Sequence, residues 1–472
     1  MSWQPVIGLE IHIHLKTRTK MFCRCELAYG LDANTRTCPI CLGHPGTLPV
    51  PNARAIEWTI KLGLALGCEI ADRAIFHRKN YFYPDLPKGY QISQYDEPLC
   101  RHGRLLVPGP EVDAEVGIVR AHLEEDAAKN VHVGGAAGRI HGAGRTLVDF
   151  NRGGTPLVEI VTRPDLHSAD EARRFLQLLR QTVVELGISD AEMEKGSLRF
   201  DVNVSVRPAG SDELRTRTEL KNMNSFAFAA RGIQREVDRQ IGIYEAGGEV
   251  EQETLHFDPD HELAPPLRSK EEAQDYRYFP EPDLVPLAPP RQLVERLRKE
   301  IPEPPGARIR RFESQYGLRF YDAEVLNGSV ALAELYERVV SAGVDAKAAS
   351  NVLMNEFART GVEPGAVDAV ELAKVIEARA RIPRDRFNEA LAGSGDPGFD
   401  AERYLGDGLV VETSELEPLV ERVLAANEKE VAAYRAGKRG LLGFFVGQVM
   451  RETGGNADAR VVNELLRTKL DA

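Results

Sequence analysis

Val6-Ile7-Gly8-Leu9-Glu10-Ile11-His12-Ile13-His14-Leu15 alternates apolar and polar side chains along its length. A period of two is the period of a strand, so Glu10, His12 and His14 are expected on one face and the isoleucines on the other. Further along, Val116–Leu123, Thr146–Phe150, Pro156–Val161, Ser197–Arg207 and Leu214–Lys221 also read as short strands. Two helices interrupt them. Ser168-x-x-Glu171 forms a capping box ahead of Phe175, Leu179, Val183 and Leu186, and Gly187 stops that helix. The second starts at Asn224-Ser225, carries Phe226, Ala229, Ile233, Val237, Ile241 and Tyr244 at helical spacing, and ends at Gly247-Gly248. Runs of strands with sparse helices predict an α+β domain built on a largely antiparallel sheet.

The pattern changes after that domain. Eight prolines fall between Pro280 and Pro305, too many for a packed core element. From Ala307 the periodicity is helical up to Gly393-Ser394-Gly395-Asp396-Pro397-Gly398. The last stretch has its own helical stripe at Val420, Val423, Leu424, Val431 and Tyr434. The expected organisation is therefore a domain over 1–293 and two all-helical domains over 294–400 and 401–472. A length of 472 residues fits several domains, and 43% hydrophobic with 28% charged residues excludes disordered and fibrous classes. A net charge of -12 argues against non-specific coating of nucleic acid, so an RNA partner has to be gripped by local patches. The N-terminus lacks a secretory pattern and no stretch approaches the ~20 apolar residues of a spanning helix, which predicts a cytoplasmic protein without a membrane anchor.

Several chemistries have no signature here. There is no G-x-x-x-x-G-K-[ST], no G-x-G-x-x-G and no G-x-S-x-G. A serine-rich amidase motif and an N-terminal cysteine nucleophile are also absent, so glutamine hydrolysis is not expected of this chain. What remains is of three kinds. First, Cys23-x-Cys25 and Cys38-x-x-Cys41 can place four thiolates around a structural Zn²⁺ in a knuckle over 23–41, with His44 as a substitute ligand. The plain alternative is four unligated thiols. Cys68 and Cys100 read as ordinary buried residues. Second, acids recur on strands: Glu10 beside His12, Glu124-Glu125-Asp126, Glu159 inside an apolar run, Glu192 and Glu194, and Asp201 with Asn203. Oxygen ligands with one imidazole suit Mg²⁺ or Mn²⁺ holding nucleotide phosphates. Taken singly, each acid has a salt-bridged face as its bland reading. Third, Arg78–Gln91 mixes tyrosines with cations and can stack a base while touching phosphate, and Asp275–Pro280 is similar in kind. The segment from Lys438 onward has six Lys/Arg against four acids, a weak pointer to RNA that a solvated helical hairpin would also give.

Leu147-Val148-Asp149-Phe150-Asn151-Arg152-Gly153-Gly154-Thr155-Pro156-Leu157-Val158-Glu159-Ile160 resembles the signature of the B-subunit family of aspartyl/glutamyl-tRNA(Asn/Gln) amidotransferases. Lys79–Asp85, His122–Ala127, Gly196–Arg199, Glu219–Ser225 and Asp275–Asp283 match the same family, and the resemblance spans nearly the whole chain. It implies a cradle domain similar in fold to glutamine synthetase, followed by helical domains that hold tRNA. It also implies a ligase of protein biosynthesis, forming a carbon–nitrogen bond with glutamine as amido donor. With ATP and Mg²⁺, the side-chain carboxylate of misacylated Glu-tRNA(Gln) or Asp-tRNA(Asn) is phosphorylated. Ammonia from an amidase-type A subunit then displaces the phosphate, within a heterotrimer completed by a small C subunit.

The residues and the resemblance together suggest the following roles, with a surface salt bridge as the plain alternative for each basic residue. Glu10, His12, Glu125 and Glu159 would ligate the metal, with Glu124 as a close substitute. Lys79, Arg152 and Lys221 would offset phosphate charge, and Tyr83, Lys88, Ser197, Asp201 and Asn203 would line the nucleotide and acceptor site. Lys438, Arg439 and Arg451 would touch tRNA. One departure stands out: Gly454-Gly455-Asn456-Ala457-Asp458-Ala459 replaces a cation-bearing motif common in the family, which weakens the expected grip of the tail. The cysteine pairs are not universal in the family. A non-catalytic tRNA-binding scaffold and a stand-alone ligase acting on free glutamate are the competing readings. Which tRNA is used depends on the charging enzymes of the host and is not written in this chain.

Overall fold

The computed structural model describes residues 2–27, 29–134, 142–221, 223–257, 268–269, 276–405, 413–453, 457 and 459–471. Among positions singled out above, Asn222, Asp275, Gly454, Gly455, Asn456 and Asp458 lie outside the described residues. The chain divides into two compact units, Met1–Arg308 and Ile309–Ala472.

The first unit is a mixed α+β structure. Its strands are β1 (Trp3–His14), β2 (Glu69–Ile70), β3 (His77–Asn80), β4 (Tyr90–Ser93), β5 (Cys100–Val107), β6 (Ala114–Glu125) and β7 (Lys129–Val133). They continue with β8 (Arg145–Asp149), β9 (Pro156–Thr162), β10 (Leu198–Pro208), β11 (Thr218–Lys221), β12 (Glu253–His256), β13 (Arg268–Ser269) and β14 (Phe279–Pro280). Nine strands form one sheet in the order β13-β12-β11-β10-β1-β9-β6-β5-β2, with β14-β3-β4 and β7-β8 as smaller sheets. Of its described pairs only β11–β12 is parallel.

The sheet has two unlike faces because its central strands alternate in phase. Residues opposite one another in an antiparallel pair share a face. The register sets His12 against Glu159 and Arg199, Glu159 against His122, and Glu10 against Asp201. These residues make one polar face. The other carries Ile7, Leu9, Ile11, Ile13, Val158, Ile160, Leu123, Val202 and Val204, all at most 1% exposed. Helices α1 (Ala53–Ala65), α2 (Ala169–Glu185) and α3 (Phe226–Glu245) belong to this unit, and α2 packs on α3 and β5 while α3 packs on β10.

Both long helices start where capping chemistry directs. Ser168 Oγ accepts the Glu171 N–H at 3.1 Å, and Ser225 Oγ accepts the Phe228 N–H at 3.0 Å. Glu171 reaches back one residue further than a capping box requires, to the His167 N–H at 2.7 Å. The predicted strand Leu214–Lys221 is shorter in the molecule and begins at Thr218. Arg215 leaves the sheet line because its guanidinium stacks over Tyr244 (4.6 Å) and Trp3 (5.3 Å).

The proline-rich segment contains α4 (Arg291–Lys299), which packs on α1 with Leu297 1% exposed and Arg296 2.7 Å from Glu57. Arg308 closes the unit on buried Glu185 at 2.6 Å. The second unit is helical throughout its described residues. Phe312, Tyr316 and Tyr336 form an aromatic knot with centroids 5.2–5.6 Å apart. Its last four α-helices, Thr413–Ala426, Glu428–Arg435, Leu442–Glu452 and Ala459–Asp471, bury Leu416, Val420, Val423, Tyr434, Phe445, Val449 and Leu466 together. Among the described residues no helix is long and apolar enough to cross a membrane.

Candidate active site and metal centres

Three strands bring three candidate ligands together on the polar face. His12 on β1, Glu124 on β6 and Glu159 on β9 present ligand atoms that all lie within 4.8 Å of one another. His12 Nε2 is 3.5 Å from Glu159 Oε2 and 3.8 Å from Glu124 Oε1. His122 backs the pair, its Nε2 3.6 Å from Glu159 and 3.9 Å from Glu124. Arg120 Nε donates to His122 Nδ1 at 3.3 Å, which leaves Nε2 to face the carboxylates. Ser93 Oγ donates to Glu124 at 3.1 Å. His122, Glu124 and Glu159 are buried, whereas His12 keeps 24% of its side chain exposed, so the cluster opens on that side.

Two carboxylates this close in a buried setting titrate as a pair. Burial and the charge of Glu159 push Glu124 up to about 7. Burial also pushes on Glu159, but His122 and the hydrogen bond with His12 outweigh it and hold that carboxyl well below the usual range. Burial drives His122 down to about 4. Burial opposes the charge of His12 as well, yet Glu159 and Glu124 raise its pKa overall. One imidazole and two oxygens, with one side open, form a donor set that fits a hard divalent ion keeping further positions for phosphate or water.

Lys79 faces this cluster from β3. Burial works against its charge, but Glu124, Tyr278 and Glu159 hold its pKa above the ordinary lysine value. Its Nζ lies 4.8 Å from the ring centre of Tyr276 and 6.0 Å from that of Tyr81. The two aromatic segments of the sequence are thus neighbours. Asn80 donates to Arg277 O at 2.8 Å, and Tyr95 stacks on Tyr278 at 4.3 Å.

The other named residues fall in distinct places. Glu125 leaves β6 toward the opposite face from Glu124 and does not join His12 and Glu159. It pairs with Lys88 and accepts the Ile92 N–H at 3.1 Å. Glu124 occupies the position in which Glu125 was expected, because consecutive strand residues point to opposite sides. Glu10 sits further along β1, accepting from Asn203 at 3.2 Å. An open cavity there is lined by Glu10, Asn203, Thr162, Arg215 and Arg217 among others. Lys221 lies 3.4 Å from Asp201 and 3.2 Å from Glu219. Tyr83 is exposed. Arg152 and Ser197 are engaged with backbone carbonyls, Arg152 across to the segment after β6 and Ser197 within its own turn. Arg152 donates to Ala127 O (2.9 Å) and Ala128 O (2.7 Å), while the Ser197 hydroxyl donates to Glu192 O at 3.0 Å. His122 and Arg120 are not among the site residues singled out from the sequence, and Asp126 is named there only within the acidic run Glu124-Glu125-Asp126. His122 was legible two positions before Glu124 on one strand face, but Asp126 gains its role only from partners distant in sequence.

Asp126 is the second electrostatic centre. Burial pushes its carboxyl up, but His14 (2.7 Å) and the guanidinium groups of Arg199 (3.1 Å) and Arg152 (3.4 Å) hold it far below the usual range.

Cys23, Cys25, Cys38 and Cys41 form the second candidate ligand cluster, their sulfurs all within 4.8 Å of one another. Bonds of ~2.3 Å to one ion would set tetrahedral sulfurs ~3.8 Å apart, so the cluster needs only a small contraction to hold a structural metal. The Cys38 N–H points at Cys41 Sγ at 3.2 Å. Hydrogen bonding from Cys23 draws Cys41 down to about 4, while Cys23 itself is driven up and burial lifts Cys25 to about 11. Gly43 follows at φ +68, and a Cβ there would meet Lys88 Cγ at 2.6 Å. His44 lines the adjacent cavity and is outside the cluster. Cys68 and Cys100 are buried free thiols, Cys68 pushed up to about 12. In the tail, Lys438, Arg439 and Arg451 are exposed, and Arg439 pairs with Asp471 and lies over Tyr434.

A sheet with one helix-covered face and one acid-lined polar face, followed by a helical region, defines a catalytic-domain class that the comparisons identify. Residues 5–295 match the GatB/GatE catalytic domain and residues 334–470 match the GatB domain, so the chain belongs to the GatB/GatE family. Its relatives include proteins named as the B subunit of aspartyl/glutamyl-tRNA(Asn/Gln) amidotransferase. The one from Geobacter sulfurreducens is 48% identical over 100% of both chains, and the one from Moorella thermoacetica is 47% identical over 100% of both. The protein of the same name from Syntrophotalea carbinolica is 47% identical over 99% of this chain and 98% of its own.

Proposed function

We propose that this chain is the subunit of a tRNA-dependent amidotransferase that activates and amidates the acid side chain of misacylated Glu-tRNA(Gln) or Asp-tRNA(Asn). Full-length relatives bearing that name support the reading, and one observation carries its chemistry: His12, Glu124 and Glu159 converge on the polar face of the sheet. A carboxylate is a poor acceptor for ammonia until an oxygen carries a good leaving group. Its oxygen attacks the γ-phosphorus of ATP and ADP leaves. Ammonia then attacks the carbonyl carbon, phosphate leaves, and an amide remains.

The residues divide this work. His12, Glu124 and Glu159 would hold Mg²⁺ or Mn²⁺, which when bound would supply charge neutralisation for phosphate oxygens. Lys79, held charged between the acids and the tyrosines, stands ready for the transferred phosphoryl group. The cavity beside Glu10, with Asn203, Arg215 and Arg217, suits a nucleotide. Lys221 and Asp201 face the same side of the sheet. The polar face of the sheet is read as part of a glutamine-synthetase-like cradle, and the cysteine cluster as a structural Zn²⁺ knuckle. Ammonia comes from an amidase-type A subunit in a heterotrimer with a small C subunit, in the cytoplasm. The helical unit, read as domains over 294–400 and 401–472, holds the tRNA, with Lys438, Arg439 and Arg451 as contacts.

The test is tRNA-dependent ATP hydrolysis in the reconstituted complex with Glu124→Ala and Glu159→Ala. Each is expected to lose about a hundredfold or more, since even residues that only support metal ligands cost 10–100-fold. Unchanged hydrolysis in folded variants would leave the chain a tRNA-binding scaffold.

A further inference from the structure

The loop between the cysteine pairs is bonded to the turn that follows β8. Asn34, at φ +62, takes the Phe150 N–H at 2.7 Å and gives its side-chain amide to Val148 O at 3.1 Å. The Arg36 N–H donates to Asn151 Oδ1 at 2.8 Å, and the Asn151 amide donates to Asp32 O at 2.8 Å. Behind this junction lies Lys20, 1% exposed. Its Nζ donates to Phe150 O at 2.9 Å and lies 3.6 Å from Cys41 Sγ. The same turn carries Arg152, which holds Ala127 O, Ala128 O and Asp126. Asp126 in turn holds His14 and Arg199. His14 is the next same-face residue after His12 on β1, and Arg199 lies directly across from His12 on β10.

We propose that the cysteine knuckle braces the acid cluster, and that Lys20 is the positioning residue through which it does so. This rests on the reading that His12, Glu124 and Glu159 hold a divalent ion. A buried ammonium needs a negative partner. Four thiolates around one divalent ion carry net negative charge against Lys20, and so keep its Nζ in place on Phe150 O. Without the ion the four sulfurs are no longer held together beside Lys20, and its bond to the turn at Phe150 O is no longer fixed in place. Arg152 and Asp126 then no longer fix the side chains that flank His12. The knuckle thereby acts across the unit on a site to which it contributes no ligand.

The test uses the purified full-length chain with Co²⁺ in the knuckle, read by its thiolate charge-transfer absorption, and Mn²⁺ at the acid cluster, read by electron paramagnetic resonance. Removing the knuckle metal is expected to weaken Mn²⁺ binding about tenfold, the scale of lost supporting contacts. Lys20→Met is expected to keep the cobalt spectrum and show the same weakening, and Lys20→Arg to recover most of the affinity. Should Lys20→Met fail to fold, Asn151→Ala cuts the same junction at a less buried point and is expected to weaken Mn²⁺ binding in the same direction. Wild-type Mn²⁺ affinity in both the stripped chain and the folded variant would overturn the brace. Failure of the intact wild-type chain to bind Mn²⁺ at all would instead overturn the acid-site reading on which it depends.

Discussion

At the end of β6 two successive carboxylates leave the backbone on opposite sides of the sheet. Glu124 meets His12 and Glu159, while Glu125 meets Lys88. Their substitutions therefore have different consequences. Glu125→Ala leaves the largely buried Lys88 ammonium without its partner, and breaking such a pair costs about 3–5 kcal/mol. Urea unfolding of the variant is expected to show that loss. Lys88→Met combined with Glu125→Leu should recover most of it, since no unpaired charge is left. A double variant as unstable as Glu125→Ala would show that the pair is not what holds this corner. The cost of Glu124→Ala is expected chiefly in activity and metal binding. The sequence exposed an acidic doublet and left both members as ligand candidates. Only the register with β9, which sets Glu124 against Leu157 and Glu125 against Pro156, decided which one looks toward His12.

At the scale of elements, the helices and strands follow local chemistry closely. Ser168 was legible as a cap and serves as one. Ser168→Ala is expected to cost about 1 kcal/mol in unfolding free energy. Glu171→Ala is expected to cost less, because its carboxylate takes one backbone N–H just ahead of the helix. A Ser168 variant with unchanged stability would mean that α2 starts on its packing alone. Strand ends were less legible. Leu214–Arg217 carries a strand-like pattern but leaves the sheet, where Arg215 finds two aromatic rings far away in sequence. The knuckle loop is of the same kind. Gly30, Asp32 and Asn34 are turn formers that predict a loop, whereas its bonds to Val148–Asn151 join segments more than a hundred residues apart.

For the whole molecule, the proline-rich segment is the instructive case. Its composition reads as a linker, and a boundary at 293 follows from that reading. The compact first unit runs to Arg308, because α4 docks Leu297 against α1 and Arg308 reaches Glu185. A chain ending at residue 293 is expected to be less stable than one ending at 308. Exposing the Leu297 contact costs about 2 kcal/mol, and stranding buried Glu185 costs several more. Equal urea midpoints for the two chains would show that α4 adds nothing to the unit.

The sequence alone determined the alternation of β1, the caps of α2 and α3, the cysteine spacing and the family signature, since each is written within a few residues of itself. The tertiary structure alone decided that His12, Glu124 and Glu159 form one cluster, that Glu10 and Glu125 lie apart from it, and that the knuckle is bonded to the turn carrying Arg152. Those facts depend on strand order and register. The contacts that set them join residues distant along the chain, and no local pattern encodes such a pairing.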